Sequence, residues 1–471
     1  MKPFSLKLKP AFLCLLAAAL FISCSEDDSV TTATPFVVAF ENLSANISDI
    51  ETSKTLSLVY SETATVQGSF EVSIVSTNAI YGVDFTTEPA AEGSTITLPI
   101  EASENGKSIV FNKLNPTLDE TVTIELNISA IHYPSSVIQG NTRFLFGNTP
   151  ALGTGYSPNV GGPNQQNQVY IDLSSEAETV VQRDTWDLGF YAGDEFRVGI
   201  NGAIYMATAQ LESTDIDAIS EADVTDLQPQ VAVGTFDPDN VAYIDHPDGA
   251  ITKTAIASIS ATEAENKVYL VNLGYTVGTD APEPGSVAVA GSARGWKKIR
   301  VLRQGDDYLL QYANLNDTTH EEVVISKNEG YNFTFFSFDT ENVVTAEPRA
   351  DQWDLNFTVF TNIIDGAGSY GFSDGVLHNS KGGVTAYSVE TTAFDYDTFS
   401  ASDVVLNNFE QDQRVIGSTW RDVINDDKVL IDTIFYILKD ANGNLYKLKF
   451  TSLLNENGER GFPEFKYNLL Q

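Results

Sequence analysis

Sulfur and imidazole are scarce in this chain. Among 471 residues there are two cysteines, two methionines and four histidines. Cys14 and Cys24 both lie close to the N-terminus, so beyond them there is no thiol for a disulfide framework, a cysteine metal site or thiol catalysis. Basic residues are also few. Lys and Arg number 27 against 64 Asp and Glu, a formal charge of −37. Such a surface repels nucleic acid and anionic lipid, and neither is expected as a partner. The apolar run Ala11 to Ile22 is too short to cross a bilayer, which takes about 20 residues. No later segment is apolar enough to span. His-Glu-x-x-His and Walker strings are absent. Gly366–Gly371 spells G-x-G-x-x-G, but no amphipathic helix follows it, so the dinucleotide reading fails. Asp440–Asn444 lacks the length and terminal Glu of an EF-hand and reads as a turn. The expectation is a protein that binds, not an enzyme.

What is present begins at the N-terminus. Lys2, Lys7 and Lys9 precede the apolar run, and Phe21-Ile22-Ser23-Cys24 follows as a lipobox. Residues 1–24 read as a lipoprotein signal peptide, with Cys24 as the lipidated residue. Residues 25–35 read as a tether. Its acidic cluster Ser25-Glu26-Asp27-Asp28-Ser29 resembles the export signal that carries Bacteroidota lipoproteins to the outer face of the outer membrane. The membrane is then met only through the lipid anchor.

Beyond the tether the chain is rich in Tyr, Phe, Thr, Val and Asn, a composition of strands and turns, and the expected class is all-β. Residues 36–147 read as a β-sandwich. Val122, Ile124, Leu126 and Ile128 alternate with polar neighbours, as a half-buried strand requires. Tyr81-Gly82-Val83-Asp84-Phe85, Gly106–Phe111 and Asp119–Val122 resemble a Calx-beta or related immunoglobulin-like module. That resemblance implies calcium ligands among Asp84, Glu88, Asp119 and Glu120, which otherwise read as solvated turn residues. Residues 148–168, rich in Gly, Pro, Asn and Gln, read as a linker.

The remainder carries an internal duplication, 169–327 and 328–471. Tyr170-Ile171-Asp172-Leu173 leads to Asp184-Thr185-Trp186-Asp187-Leu188-Gly189-Phe190. Phe335-Phe336-Ser337-Phe338 leads to Asp351-Gln352-Trp353-Asp354-Leu355-Asn356-Phe357. Each copy later shows a hairpin, Lys298–Tyr312 in the first and Ile434–Phe450, turning at Asn442-Gly443, in the second. Helical periodicity is brief, near Asp215–Leu227 and Phe399–Glu410.

The repeated Asp-x-Trp-Asp-Leu-x-Phe strand, the Phe196–Ala203 segment and the closing Phe465-Lys466-Tyr467 resemble the HmuY-type haem-binding lipoprotein family over about 165–471. The resemblance implies a twisted, multi-stranded antiparallel region, here in two copies. It also implies capture of haem, free or from haemoproteins, and delivery to an outer-membrane receptor. The chain departs from the family in length. Haem iron takes donors such as imidazole and thioether. Met206 and His378 are the candidate axial pair, each downstream of its own Trp-Asp strand. The plainer reading makes Met206 a core filler and His378 a surface-loop residue. Arg197 and Lys381 are candidate propionate partners. The alternative function is an adhesin or glycan- or protein-binding module using Tyr191, Phe335 and Tyr370.

Overall fold

The computed structural model describes residues 35–118, 122–147, 152–424 and 429–470. Cys24, most of the tether, and Asp119 and Glu120 lie outside these. The described chain is all-β: its one α-helix is the single turn Glu221–Val224. The brief helical periodicity near 399–410 resolves into 3₁₀ turns at Ala401–Asp403 and Leu406–Asn408. No helix among the described residues is long and apolar enough to cross a membrane.

The first part is two facing sheets. One runs in the order Val38–Phe40, Ser53–Tyr60, Gly106–Lys113, Phe85–Glu88. The other runs Ser44–Asn46, Arg143–Gly147, Thr123–His132, Gly68–Thr77, Thr95–Ile100. Alternation decides which faces meet. Val122, Ile124, Leu126 and Ile128 all enter one core with Phe70, Phe85, Phe111 and Phe146. Asp84 organises a turn, accepting from the Ile80 amide at 2.8 Å and from Asn115 Nδ2 at 2.9 Å. Glu88 is exposed. No group of three or more His, Cys, Asp or Glu side chains placed to hold a metal ion occurs among the described residues, so the calcium ligands that the resemblance implies find no support.

Residues 152–168 are packed. Gly155–Tyr156 pairs with Arg460–Leu469, and buried Gln165 exchanges hydrogen bonds with Asp374. The sandwich meets the rest of the chain nearby, where Asn42 Nδ2 donates to Glu176 at 2.6 Å.

The two copies are folded through each other. One four-stranded sheet has the order Ala177–Gln182, Asn167–Asp172, Leu355–Ile364, Gly368–His378. The other has Asn342–Val344, Phe333–Ser337, Leu188–Tyr191, Val198–Ile200. The opening strand of each copy therefore pairs with the strand that follows Trp-Asp in the other, with Ile171 opposite Leu355 and Phe336 opposite Leu188. The Trp-Asp residues fasten the exchange. Asp354 accepts from the Leu173 amide at 2.8 Å, and Asp187 from the Phe338 amide at 2.7 Å. Trp353 stands edge-on to Tyr170, and Trp186 edge-on to Phe335. Geometry of this kind satisfies buried donors while placing large apolar rings at the seam.

Each copy then builds a five-stranded sheet. The first runs Ala207–Gln210, Val268–Asn272, Trp296–Gln304, Asp307–Ala313, Glu321–Ile325. The second runs Thr385–Glu390, Ile434–Lys439, Leu445–Leu454, Arg460–Leu469, Gly155–Tyr156. This order corrects the hairpin correspondence expected from sequence. Trp296–Gln304 with Asp307–Ala313 matches Leu445–Leu454 with Arg460–Leu469, one strand later than the Ile434–Phe450 hairpin. Between Val268–Asn272 and Trp296–Gln304, copy one carries a long insertion with its own ribbon, Tyr275–Val277 and Ala290–Ala293. Copy two has only the tight Asn442-Gly443 turn at that place.

Candidate functional site

A cavity of about 200 Å³ lies at the seam between the copies. Its wall includes Met206, Trp186, Phe335 and Ile200 from one side and His378, Trp353, Asn356 and Phe360 from the other. Met206 and His378 thus line one cavity. They are nevertheless not equivalent positions. Asn201 and Asn379 form matching knots: each donates from Nδ2 to the carbonyl of its own Trp, Trp186 or Trp353, and each receives an amide on Oδ1. His378 directly precedes its knot, where copy one has Ile200; both face the start of the strand after Trp-Asp, opposite Leu355 and Leu188. Met206 donates its amide to the Asn201 carbonyl as Val384 does to that of Asn379, so Val384 is its counterpart.

His378 ends the Gly368–His378 strand and is 1% exposed, a buried wall residue and not a surface-loop one. Neither ring nitrogen has a hydrogen-bond partner in the protein. Burial lowers its pKa to about 4, against the pull of Asp412 and with help from Lys381. The ring is therefore neutral near pH 7, with a lone pair to offer. Two more orphaned polar atoms line the same cavity, Trp353 Nε1 and Asn356 Oδ1. The counterpart of Trp353, Trp186, donates to Gln168 at 2.9 Å. Phe333 stands where Gln168 would by that correspondence, and a phenyl ring cannot accept in the same way. Met206 is fully buried and its other side belongs to the core of copy one, with Leu188, Phe190 and Ile204. It fills core and lines the cavity at once.

Copy one is open where copy two is filled. Gly189 and Gly199 pair across neighbouring strands and line the cavity. The matching positions in copy two are Asn356 and Leu377. A Cβ on Gly199 would stand 3.0 Å from Asp245 Oδ2.

A strap from Ile244 to Thr254 closes the cavity on one side. Asp245 anchors it, accepting from the Ile200 and Ala255 amides at 2.8 Å each. Gln413 of copy two fastens it across the seam, donating from its amide to the Asp248 carbonyl and from Nε2 to that of Pro247. The Gln413 carbonyl in turn accepts from the His378 amide. Gly249 sits against Gln413 with φ of +79°, a place where a side chain would both strain the backbone and meet Gln413 at 2.5 Å. Beyond the strap is an outer pocket of about 460 Å³, sharing Gly249, Ala250, Ile251, Ser380 and Lys381 with the cavity. The inner cavity alone falls below the ~300–1,000 Å³ of usual small-molecule sites, so a ligand of tetrapyrrole size would have to reach past the strap into the outer pocket. Gln413→Ala is expected to raise hydrogen exchange across 246–254 and to speed both entry and exit of ligand several-fold, as stopped-flow absorbance would read. Unchanged exchange there would mean that Gln413 is no latch.

The other expected site residues separate. Lys381 lines both pockets, with Glu347 the leading charge acting on it. Arg197 lines neither: its Nε pairs with Glu195 at 3.3 Å, outside the cavity wall. Phe335 is buried against Trp186, so of the aromatics considered for adhesion only Tyr370 stands well exposed. His132 lies by Glu71 in the sandwich, and His320 between Asp217 and Glu322. His246 lines the cavity, its Nδ1 2.9 Å from Asp248. Sequence reasoning also missed Glu347 and Asn356, which carry no local signal beyond their place in an acidic, Asn-rich chain. The string Gly371-Phe372-Ser373-Asp374-Gly375 spells a nucleophile elbow, but it lies inside a strand, and Ser373 Oγ accepts from Arg460.

No curated protein matches the chain. A solved structure titled "Crystal structure of Apo-form Calx CBD1 domain" is similar at 9% identity over 24% of this chain and 97% of that one, with a TM-score of 0.19. A family model described as "HmuY protein" matches twice, at residues 164–322 and 329–467. Those two spans hold both exchanged strands, both Trp-Asp pairs and the cavity between them, and they take in more than half of the sequence: the chain belongs to the HmuY family and carries its pattern twice.

Proposed function

We propose that this chain is a surface lipoprotein that captures haem in the cavity at the seam of its two copies. The observation that carries the reading is His378. A neutral imidazole, buried with both nitrogens unpartnered among aromatic rings, is poorly explained as packing, because an orphaned buried polar group costs about 1–3 kcal/mol. It is well explained as a donor kept for iron. Met206, which lines the same cavity from copy one, would supply a second donor. Lys381 meets a propionate, and Trp186, Trp353 and Phe335 supply the apolar walls that a porphyrin face requires. Membership in a family of haem binders supports the same reading. The protein acts by binding and release. It is held to the outer face of the outer membrane through Cys24, with the 36–147 sandwich as a spacer, and it hands its cargo to an outer-membrane receptor.

The test is a hemin titration of the chain lacking residues 1–24, followed by absorbance in both redox states. A saturable Soret shift near one equivalent is expected, and it weakens in Met206→Ala. A response no greater than that of an unrelated acidic protein would defeat the reading. One observation favours the adhesin alternative: Phe236, 66% exposed, leans on Tyr370 at 5.6 Å and forms an aromatic surface patch. In that case Phe236→Ser would abolish binding to the cell-surface partner while any hemin response stayed as it was.

A further inference from the structure

At the Lys381 end of the cavity, charge and burial conflict. Among the described residues Lys381 makes no ion pair or hydrogen bond, and its ammonium lies 5.6 Å from the centre of the Phe333 ring. Three carboxyls act on it, Glu347 first, then Asp245 and Asp248. Glu347 is 6% exposed, lines the same cavity, and accepts from the Phe333 amide at 3.2 Å. If all three carboxyls were ionised, the cluster would repel any anion that entered. We infer that Lys381 and Glu347 form a proton-gated carboxylate seat: Lys381 holds one ligand carboxylate while Glu347 is neutral, and the seat closes to anions when Glu347 ionises.

This rests on the haem reading and names how that site discriminates. Two groups of the seat carry a charge that burial opposes above neutral pH, Glu347 and Lys381 itself. Burial lowers Lys381 from its ordinary value against the pull of Glu347, Asp245 and Asp248. A fall in affinity caused by Lys381 would survive Glu347→Gln, and one caused by Glu347 would not. Burial raises Glu347 to about 8, with Lys381 and the Asn332 and Phe333 donors pulling the other way. Tyr170, which faces Glu347, is pushed well above its ordinary value by burial and stays neutral. Asp248 is lowered to about 2, held ionised chiefly by Lys253 and the Ala250 amide despite partial burial, so it is charged throughout. Burial raises Asp245 to about 6, and it is already ionised above neutrality. His378, with Asp412 beside it, stays neutral. Protonated Glu347 adds no negative charge and leaves the Lys381 ammonium free to pair with a ligand. Ionised Glu347 competes for that ammonium and repels the newcomer. Linkage then fixes the sign: affinity for an anionic ligand falls as pH rises through about 8, by up to about tenfold per unit.

The experiment titrates the mature protein with hemin and with hemin dimethyl ester, whose carboxylates are masked, across the range from about pH 6.5 to 9.5. Hemin affinity is expected to be flat at first and then to fall about tenfold per unit, while the ester shows no such fall. Hydroxide competing for iron affects both ligands alike and cancels in the comparison. Glu347→Gln removes the hemin slope, and Lys381→Met removes the preference for hemin over its ester. Equal slopes for the two ligands, or a slope that survives Glu347→Gln, overturn the inference while haem capture stands. The wild-type comparison decides alone if a variant fails to fold. No Soret shift with either ligand at any pH defeats haem capture itself, and the seat with it.

Discussion

Replacing His378 with leucine is expected to abolish tight hemin binding and, at the same time, to leave the fold as stable as before or more so. The two halves of this expectation come from one observation. The imidazole is 1% exposed and neither nitrogen is hydrogen-bonded within the protein. Leucine has a similar volume and carries no polar atom, so it removes a desolvation penalty of about 1–3 kcal/mol that the fold otherwise bears. A gain of up to about 1–2 kcal/mol in unfolding free energy is expected from denaturant titration. Hemin affinity should drop at least about a hundredfold, the equivalent of about 3 kcal/mol, because an iron–imidazole bond is lost. The pH profile gives an independent check. Burial lowers the His378 pKa to about 4, below its unfolded value of about 6.5. The unfolded chain therefore binds the extra proton between those values, and stability is lost as pH falls through that window. In His378→Leu that part of the acid sensitivity disappears. A variant destabilised by several kcal/mol with hemin binding intact would make His378 a packing residue and remove the ground for haem capture.

Much of this architecture is written in local sequence. The alternation at Val122–Ile128 places a core face without reference to anything distant, because a strand's period is two residues wherever it pairs. The Trp-Asp strings show the duplication because each must do the same two things, pack a ring at the seam and satisfy one amide. The exchange of opening strands is not legible. Whether Asn167–Asp172 pairs within its own copy or with the other changes no residue of either pattern, so only the spatial order of strands reveals it. The site is legible to the same extent. Scarcity leaves few sulfur and imidazole donors, and position downstream of each Trp-Asp strand singles out Met206 and His378 among them. Counting from the Trp residues suggests that they are counterparts. The Asn201 and Asn379 knots show instead that His378 replaces an isoleucine and Met206 a valine. His246 and Glu347 reach the cavity through a strap and a loop whose path depends on contacts across the seam, Gln413 above all. No periodicity records contacts of that kind.

Because the copies share strands, damage to one should melt both, and Asp187→Ala is the sharpest way to see it. Asp187 is fully buried and pairs with Arg294, whose side chain is 4% exposed. It also accepts the Phe338 amide from the other copy. Alanine there leaves the Phe338 donor unsatisfied and strands a buried guanidinium whose remaining carboxylate partner, Asp339, is largely solvated. A loss of about 3–5 kcal/mol is expected for breaking a buried pair from one side. The loss cannot remain in copy one. Unfolding the Leu188–Tyr191 strand strips the pairing of Phe333–Ser337, and releasing Asn167–Asp172 strips that of Leu355–Ile364. The chain reports this directly, since all four tryptophans, Trp186, Trp296, Trp353 and Trp420, lie in the two copies and none in the sandwich. Variants that retain only the tryptophans of one copy or the other should give coincident denaturant midpoints, and Asp187→Ala should lower both midpoints by the same amount. Asp187→Asn, which keeps an acceptor for the Phe338 amide but not the charge, should recover part of the loss. If the signal from Trp353 and Trp420 held its midpoint while that from Trp186 and Trp296 fell, the copies would be separate cooperative units. The strand exchange would then be a contact formed late between two domains already folded. Coincident midpoints would mean that the cavity at their seam cannot exist without both copies, so that a single copy of this pattern, cut from the chain, would have neither of the two shared four-stranded sheets complete nor a binding site.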